Sequence, residues 1–187
     1  MRRILVVLTP LLLISSLLMA GAEAAPEPAA TAAALPSPAG PPSVAVPPEL
    51  AVPEGQRLVL ATVGAGVQIY DCVNGAWTFR EPAANILRGV PVALHYAGPT
   101  WQSLVDGSKV TAAVQARLNA PRPDRDIPWL LLRATGNVGA GVFADVDFVQ
   151  RLRTSGGVAP TGACDPAVRA STAVPYTAVY NFWAPGA

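Results

Sequence analysis

From Arg57 onward, turn signals arrive every eight to twelve residues, and the segments between them alternate apolar and polar side chains instead of following the helical period. A period of two belongs to a strand, whose successive side chains point to opposite faces. Arg57 to Val63 and Val67 to Val73 read as strands joined by Gly64-Ala65-Gly66. Asn74-Gly75 then turns the chain into Ala76 to Arg80, because that pair tolerates the positive φ angles of a two-residue hairpin. Asp106-Gly107 repeats the device between Trp101 to Val105 and Lys109 to Leu118, where Val110, Ala112, Val114, Ala116 and Leu118 face one way. Trp129 to Leu132 is apolar on both faces and reads as central, and Val142 to Leu152 and Tyr176 to Trp183 complete the set. The sum is nine or ten short strands, with no convincing helical segment and no internal repeat. This predicts an all-β domain, either an antiparallel sandwich or a closed barrel.

Ahead of this body the composition changes twice. Arg2-Arg3, an apolar run from Ile4 to Leu18 and the small-x-small triplet Ala22-Glu23-Ala24 have the architecture of a secretory signal peptide over residues 1–24. The rival reading is an uncleaved anchor, since Ile4 to Ala22 carries no charge over 19 residues. Residues 25–53 hold nine prolines and nine alanines, too little aliphatic and aromatic area to offset ordering entropy, and so read as an extended, disordered spacer. A single β domain is expected over 54–187, secreted or periplasmic, in the extracytoplasmic envelope. An exported chain with two cysteines is expected to pair Cys72 with Cys164.

Charged residues are 13% of the chain, about half the usual share of roughly 25%, while 51% are hydrophobic, which excludes an acidic disordered chain and a basic nucleic-acid binder. Without residues 1–24 the acidic and basic groups balance, so no electrostatic partner is implied, and no membrane contact is expected after signal cleavage.

No chemical motif is complete. Gly139-Ala140-Gly141-Val142-Phe143-Ala144 fits a dinucleotide-binding fingerprint, but Phe143 to Leu152 alternates as a strand, whereas a phosphate loop must run into a helix. No nucleotide cofactor is expected on that ground. His95 is the single histidine, and no His, Cys and carboxylate cluster has metal-ligand spacing, so no metal is expected. Asp145 and Asp147 share a face with Arg151 and Arg153 and read as paired surface charges. A Ser-His-Asp hydrolase site would have to combine His95 with Ser103 or Ser108 and with Asp106 or Asp71. A two-carboxylate glycosidase site could draw on Asp145, Asp147, Asp71 or Glu81, and its test is a distance that sequence does not supply.

The richest segment runs from His95 to Ser103 around Gly98-Pro99, and the candidate ligand-binding residues are His95, Tyr96, Trp101, Gln102 and Ser103. Val92, Leu94 and Tyr96 share one strand face, so His95 points to the other. The structural reading makes Tyr96 and Trp101 core, with His95 bonded to a backbone carbonyl. The functional reading is a surface where an aromatic ring stacks on a small molecule or cell-wall glycan and polar neighbours orient it. Trp77, Phe79, Tyr176, Tyr180, Phe182 and Trp183 read as core payload.

Several ordered stretches carry a family resemblance: Gly66-Val67-Gln68-Ile69-Tyr70 with Cys72 and Trp77, His95 to Trp101 with Asp106-Gly107-Ser108, Ile127 to Leu132, and Val149-Gln150-Arg151 through Thr154 to Gly157, then Gly162 and Cys164. In these the chain resembles the domain of unknown function 3455 family of secreted bacterial and fungal proteins, over nearly all of residues 51–183. The resemblance implies a compact secreted domain and no agreed activity. Some members carry a dehydrogenase label, against which the failed nucleotide fingerprint argues. The leading functional reading is therefore a binding or envelope-associated module, followed by a secreted hydrolase built on His95, and then by a structural wall or matrix component.

Overall fold

A computed structural model describes residues 45–186. The proposed signal peptide, its anchor alternative and most of the spacer lie outside the described residues. Eight strands follow in chain order: β1 (Gln56–Val73), β2 (Ala76–Arg88), β3 (Val90–Tyr96), β4 (Thr100–Ser103), β5 (Lys109–Leu118), β6 (Trp129–Val138), β7 (Phe148–Gly156) and β8 (Ser171–Pro185). Each pairs antiparallel with the next, and β8 pairs back onto β1, so the all-β domain is a single sheet closed into a barrel. Among the described residues no helix is long and apolar enough to cross a membrane.

The strands are fewer and longer than the alternation suggests. Gly64-Ala65-Gly66 is not a turn but the middle of β1, and the reason is packing. A Cβ on Gly64 would collide with the Tyr180 ring, and one on Gly66 with the backbone of Ala83 and Ala84. Both glycines let neighbouring strands and an aromatic ring close in on β1. In β5 the register slips between Thr111 and Ala112 and again between Val114 and Ala116, so the one-sided face expected of Lys109 to Leu118 breaks: Val114 stays on the inner side, 52% exposed, while Ala116 and Leu118 turn to the outer cluster. Val142 to Asp147 is likewise a turn region, not the start of β7, with Phe143 fully buried as its anchor.

Adjacent residues of one strand fall into two clusters, which sets inside from outside. Inward positions build the interior from Ile86, Trp101, Val110, Leu132, Tyr180 and Phe182. Leu131, Phe148 and Leu152 have the opposite parity and form a second cluster on the outer face together with Leu50. Trp183 packs there too, so it belongs to the outer cluster and not to the interior. Leu50 sits in a 3-10 turn, Pro48–Leu50, and Gln150 Nε2 donates to its carbonyl at 2.7 Å while Trp183 Nε1 donates to Gln150 Oε1 at 2.9 Å. The last residues assigned to the disordered spacer are thus packed: Val46, Leu50 and Val52 strap the outer wall.

The up-and-down order puts the β1–β2, β3–β4, β5–β6 and β7–β8 connections at one end. There the expected Cys72–Cys164 bond, with Cα atoms 5.8 Å apart, ties the loop after β7 to the end of β1. At the other end Asp106 pins two turns together, accepting from Ser108 N at 2.9 Å, Ser108 Oγ at 2.6 Å and Val142 N at 3.0 Å. These bonds hold its carboxyl well below the usual carboxylate range. Gly141, at φ 141°, is glycine because the Asp106 carboxylate occupies the space a Cβ would need.

Candidate functional site

His95 and Trp101 are directly opposed residues of β3 and β4, so their side chains leave the sheet together on its inner face. The two rings stack with centroids 4.3 Å apart and an interplanar angle of 1°, and Tyr180 meets both edge-on at 5.4 and 5.8 Å. His95 Nδ1 lies 2.9 Å from the Thr100 carbonyl oxygen. A carbonyl only accepts, so Nδ1 carries the proton and Nε2 of the neutral ring is left as an acceptor. Burial pulls the imidazole pKa down to about 3, against the Thr100 hydrogen bond and with help from the Arg151 charge. The ring is therefore neutral throughout the physiological range.

These three rings floor a cavity of about 490 Å³ inside the barrel. Its mouth lies at the disulfide-bonded end, between Phe79, Pro99, Val114 and Arg117. Phe79, read as core from sequence, is 50% exposed at this rim and meets Tyr70 edge-on at 5.7 Å. On the walls, Gln68 Nε2 and Trp101 Nε1 are buried donors without a partner. Arg151 donates from Nε and Nη2 to the Pro128 carbonyl at 3.2 and 3.0 Å. The Tyr176 and Tyr180 hydroxyls lie 3.1 Å apart, and burial pushes both pKa values up. The floor is thus apolar and aromatic, with isolated hydrogen-bonding groups and no ionised acid.

The five candidate ligand residues divide. His95 and Trp101 come together in the cavity. Tyr96 and Gln102 have the outer parity, and the Tyr96 hydroxyl donates to Gln102 Oε1 at 2.9 Å. Ser103 points inward but toward the opposite end, where its Oγ accepts from the Val105 and Asp106 amides at 3.2 and 3.3 Å and where it lines a smaller cavity of about 180 Å³. The hydrolase relay is not assembled: His95 Nδ1 is bonded to Thr100, and Ser108 and Asp106 are bonded to each other. Asp71 and Glu81 both face Arg80, at 2.9 and 3.1 Å. Asp147 accepts from Gln56 at 3.2 Å, and Arg153 takes φ 46° where β7 slips register, so the expected charge pairing along Asp145 to Arg153 dissolves. Sequence does not single out Gln68, Arg117, Arg151 and Tyr180 as ligand residues; a polar or charged side chain at inward parity is the signal for Gln68, Arg151 and Tyr180, whereas Arg117 turns inward only through the register slip in β5.

Of the comparisons with known proteins, one family model matches, described as protein of unknown function (DUF3455), over residues 84–184. No curated protein and no solved structure matches the chain.

Proposed function

The chain belongs to the DUF3455 family, whose description assigns no activity, and from that premise we propose that the domain is a binding module which takes one small molecule into the barrel. One observation carries this reading: a cavity of about 490 Å³ inside the barrel, floored by the stacked His95 and Trp101 rings and lined by the polar side chains of Gln68, Arg117 and Arg151. Ligand sites are concave, mostly apolar, roughly 300–1,000 Å³ in volume, and carry a few convergent polar groups. An eight-stranded barrel is about wide enough to hold one small ligand.

The same geometry favours a compact guest over a wall glycan. His95 and Trp101 are 3% and 1% exposed, too deep for a polymer that must lie along an open aromatic platform. It also favours binding over hydrolysis, since the imidazole's donor is committed to Thr100 and Nε2 faces no hydroxyl partner among the described hydrogen bonds. The location that fits is outside the cytoplasm, with which a disulfide across 92 positions is compatible.

The test is the thermal midpoint of the oxidised protein across a panel of small aromatic and aliphatic compounds, beside Val114→Trp, which plugs the mouth at an exposed position. A compound at 100 times its Kd adds about 2.7 kcal/mol. The expected result is a compound that raises the wild-type midpoint by several degrees and leaves Val114→Trp unmoved. A panel with no such compound, or a shift equal in both proteins, overturns the reading.

A further inference from the structure

The charges around this cavity are one-sided. Arg80, Arg117 and Arg151 line it, and no aspartate or glutamate does. Arg80 is already neutralised by Asp71 and Glu81. Arg117 and Arg151 have no carboxylate of the described residues within 4 Å.

Those two are also neighbours by register. Arg117 of β5 stands opposite Leu130 of β6, and Leu130 stands opposite Arg151 of β7, so the three form one row across adjacent strands. Directly opposed residues share a sheet face, and Leu130 is a buried inward residue, which puts both guanidinium groups on the cavity side. With strands about 4.8 Å apart, the two stems rise roughly 10 Å from each other and flank the Leu130 side chain. The Pro128 carbonyl holds Arg151 in place through two of its five N–H donors, and the Tyr180 hydroxyl lies within its reach on the cavity side. Arg151 has a further reach: its charge opposes protonation of His95 and bears on the buried hydroxyls of Tyr70, Tyr176 and Tyr180. An anion drawn into a cleft of this kind gains from low-dielectric walls as well as from direct bonds.

We infer that the ligand is a small organic carboxylate, its acid group held between Arg117 and Arg151 and its apolar body directed at the His95–Trp101 floor. This inference rests on the binding reading above and adds the ligand's chemical class to it.

Matched acids and amides test it: phenylacetate against phenylacetamide and octanoate against octanamide, each titrated calorimetrically into the oxidised protein. A charge-assisted contact is worth about tenfold in affinity over its neutral counterpart, and the acids are expected to lead by at least that. The lead should fall to near parity in Arg151→Gln and shrink in Arg117→Gln, and it should weaken as salt is raised. Should Arg151→Gln fail to fold for want of its Pro128 bonds, the exposed Arg117→Gln carries the comparison. Amides that bind as tightly as the acids, or an acid preference untouched by either substitution, overturn the inference and leave a neutral-ligand barrel standing. If no acid and no amide binds, the binding reading itself falls, and this inference with it.

Discussion

His95 offers a clean thermodynamic handle because it is the single histidine of the chain. In the fold its ring is buried against Trp101 and Tyr180, and burial pulls its pKa from 6.5 to about 3. In the unfolded chain the ring returns to its ordinary value of about 6.5. Between these two values the unfolded state binds a proton that the folded state refuses, so stability is retained above about pH 6.5 and falls as the pH drops below it. The slope approaches about 1.4 kcal/mol per pH unit, which integrates to roughly 2 kcal/mol between pH 7 and pH 5. That figure requires only that the folded value lie well below 5, and it is reached before ordinary carboxylates begin to titrate. Urea unfolding at the two pH values reads it directly, with His95→Phe as the control that keeps a ring on Trp101. Wild type should lose about 2 kcal/mol on going to pH 5, and His95→Phe should change by a small fraction of that. Equal losses in the two proteins, or a flat wild type, would refute a desolvated, neutral imidazole.

Two further outcomes follow from the packing. The Cys72–Cys164 bond closes 92 positions of chain, so the double variant Cys72→Ala/Cys164→Ala should lose about 4–5 kcal/mol in the chain-entropy model, measured as a drop in the urea midpoint; an unchanged midpoint would contradict it. Leu50→Ala should cost about 2–5 kcal/mol by the same assay, since Leu50 is 0% exposed in the outer cluster; a loss below about 0.5 kcal/mol would show that the 45–53 strap lies outside the cooperative unit.

Where the chain's structure is decided locally, the sequence could be read. Asn74-Gly75 adopts φ 52° and 80° at the head of a hairpin, Gly107 takes φ 74° at another, and β5 begins and ends where its alternation does. Where a neighbour decides, local reading failed. Gly64 and Gly66 look like a turn until the Tyr180 ring and the Ala83–Ala84 backbone are seen to press on them. Phe143 looks like a strand residue because its side chain is buried, yet it anchors a turn that Asp106 and Ser108 hold from another connection, Ser108 Oγ accepting the Phe143 amide at 3.1 Å. The site divides the same way. His95 and Trp101 belong to one short hairpin, so their partnership was visible in a nine-residue window. Gln68, Arg151 and Tyr180 sit on β1, β7 and β8, and only closure of the ring carries them to the same cavity.

Closure also sets when this protein can fold. β1 is completed by β8, and contacts such as Thr62 Oγ1 to the Tyr180 carbonyl span 118 positions. Until the last strand is available, a nascent chain exposes two unsatisfied sheet edges and an incomplete floor, because Tyr180 arrives with β8. Contacts this distant in sequence come late and slowly. Such a chain stays open until β8 is free to pair, and then gains its lining, its wall and its protection from edge-to-edge aggregation together.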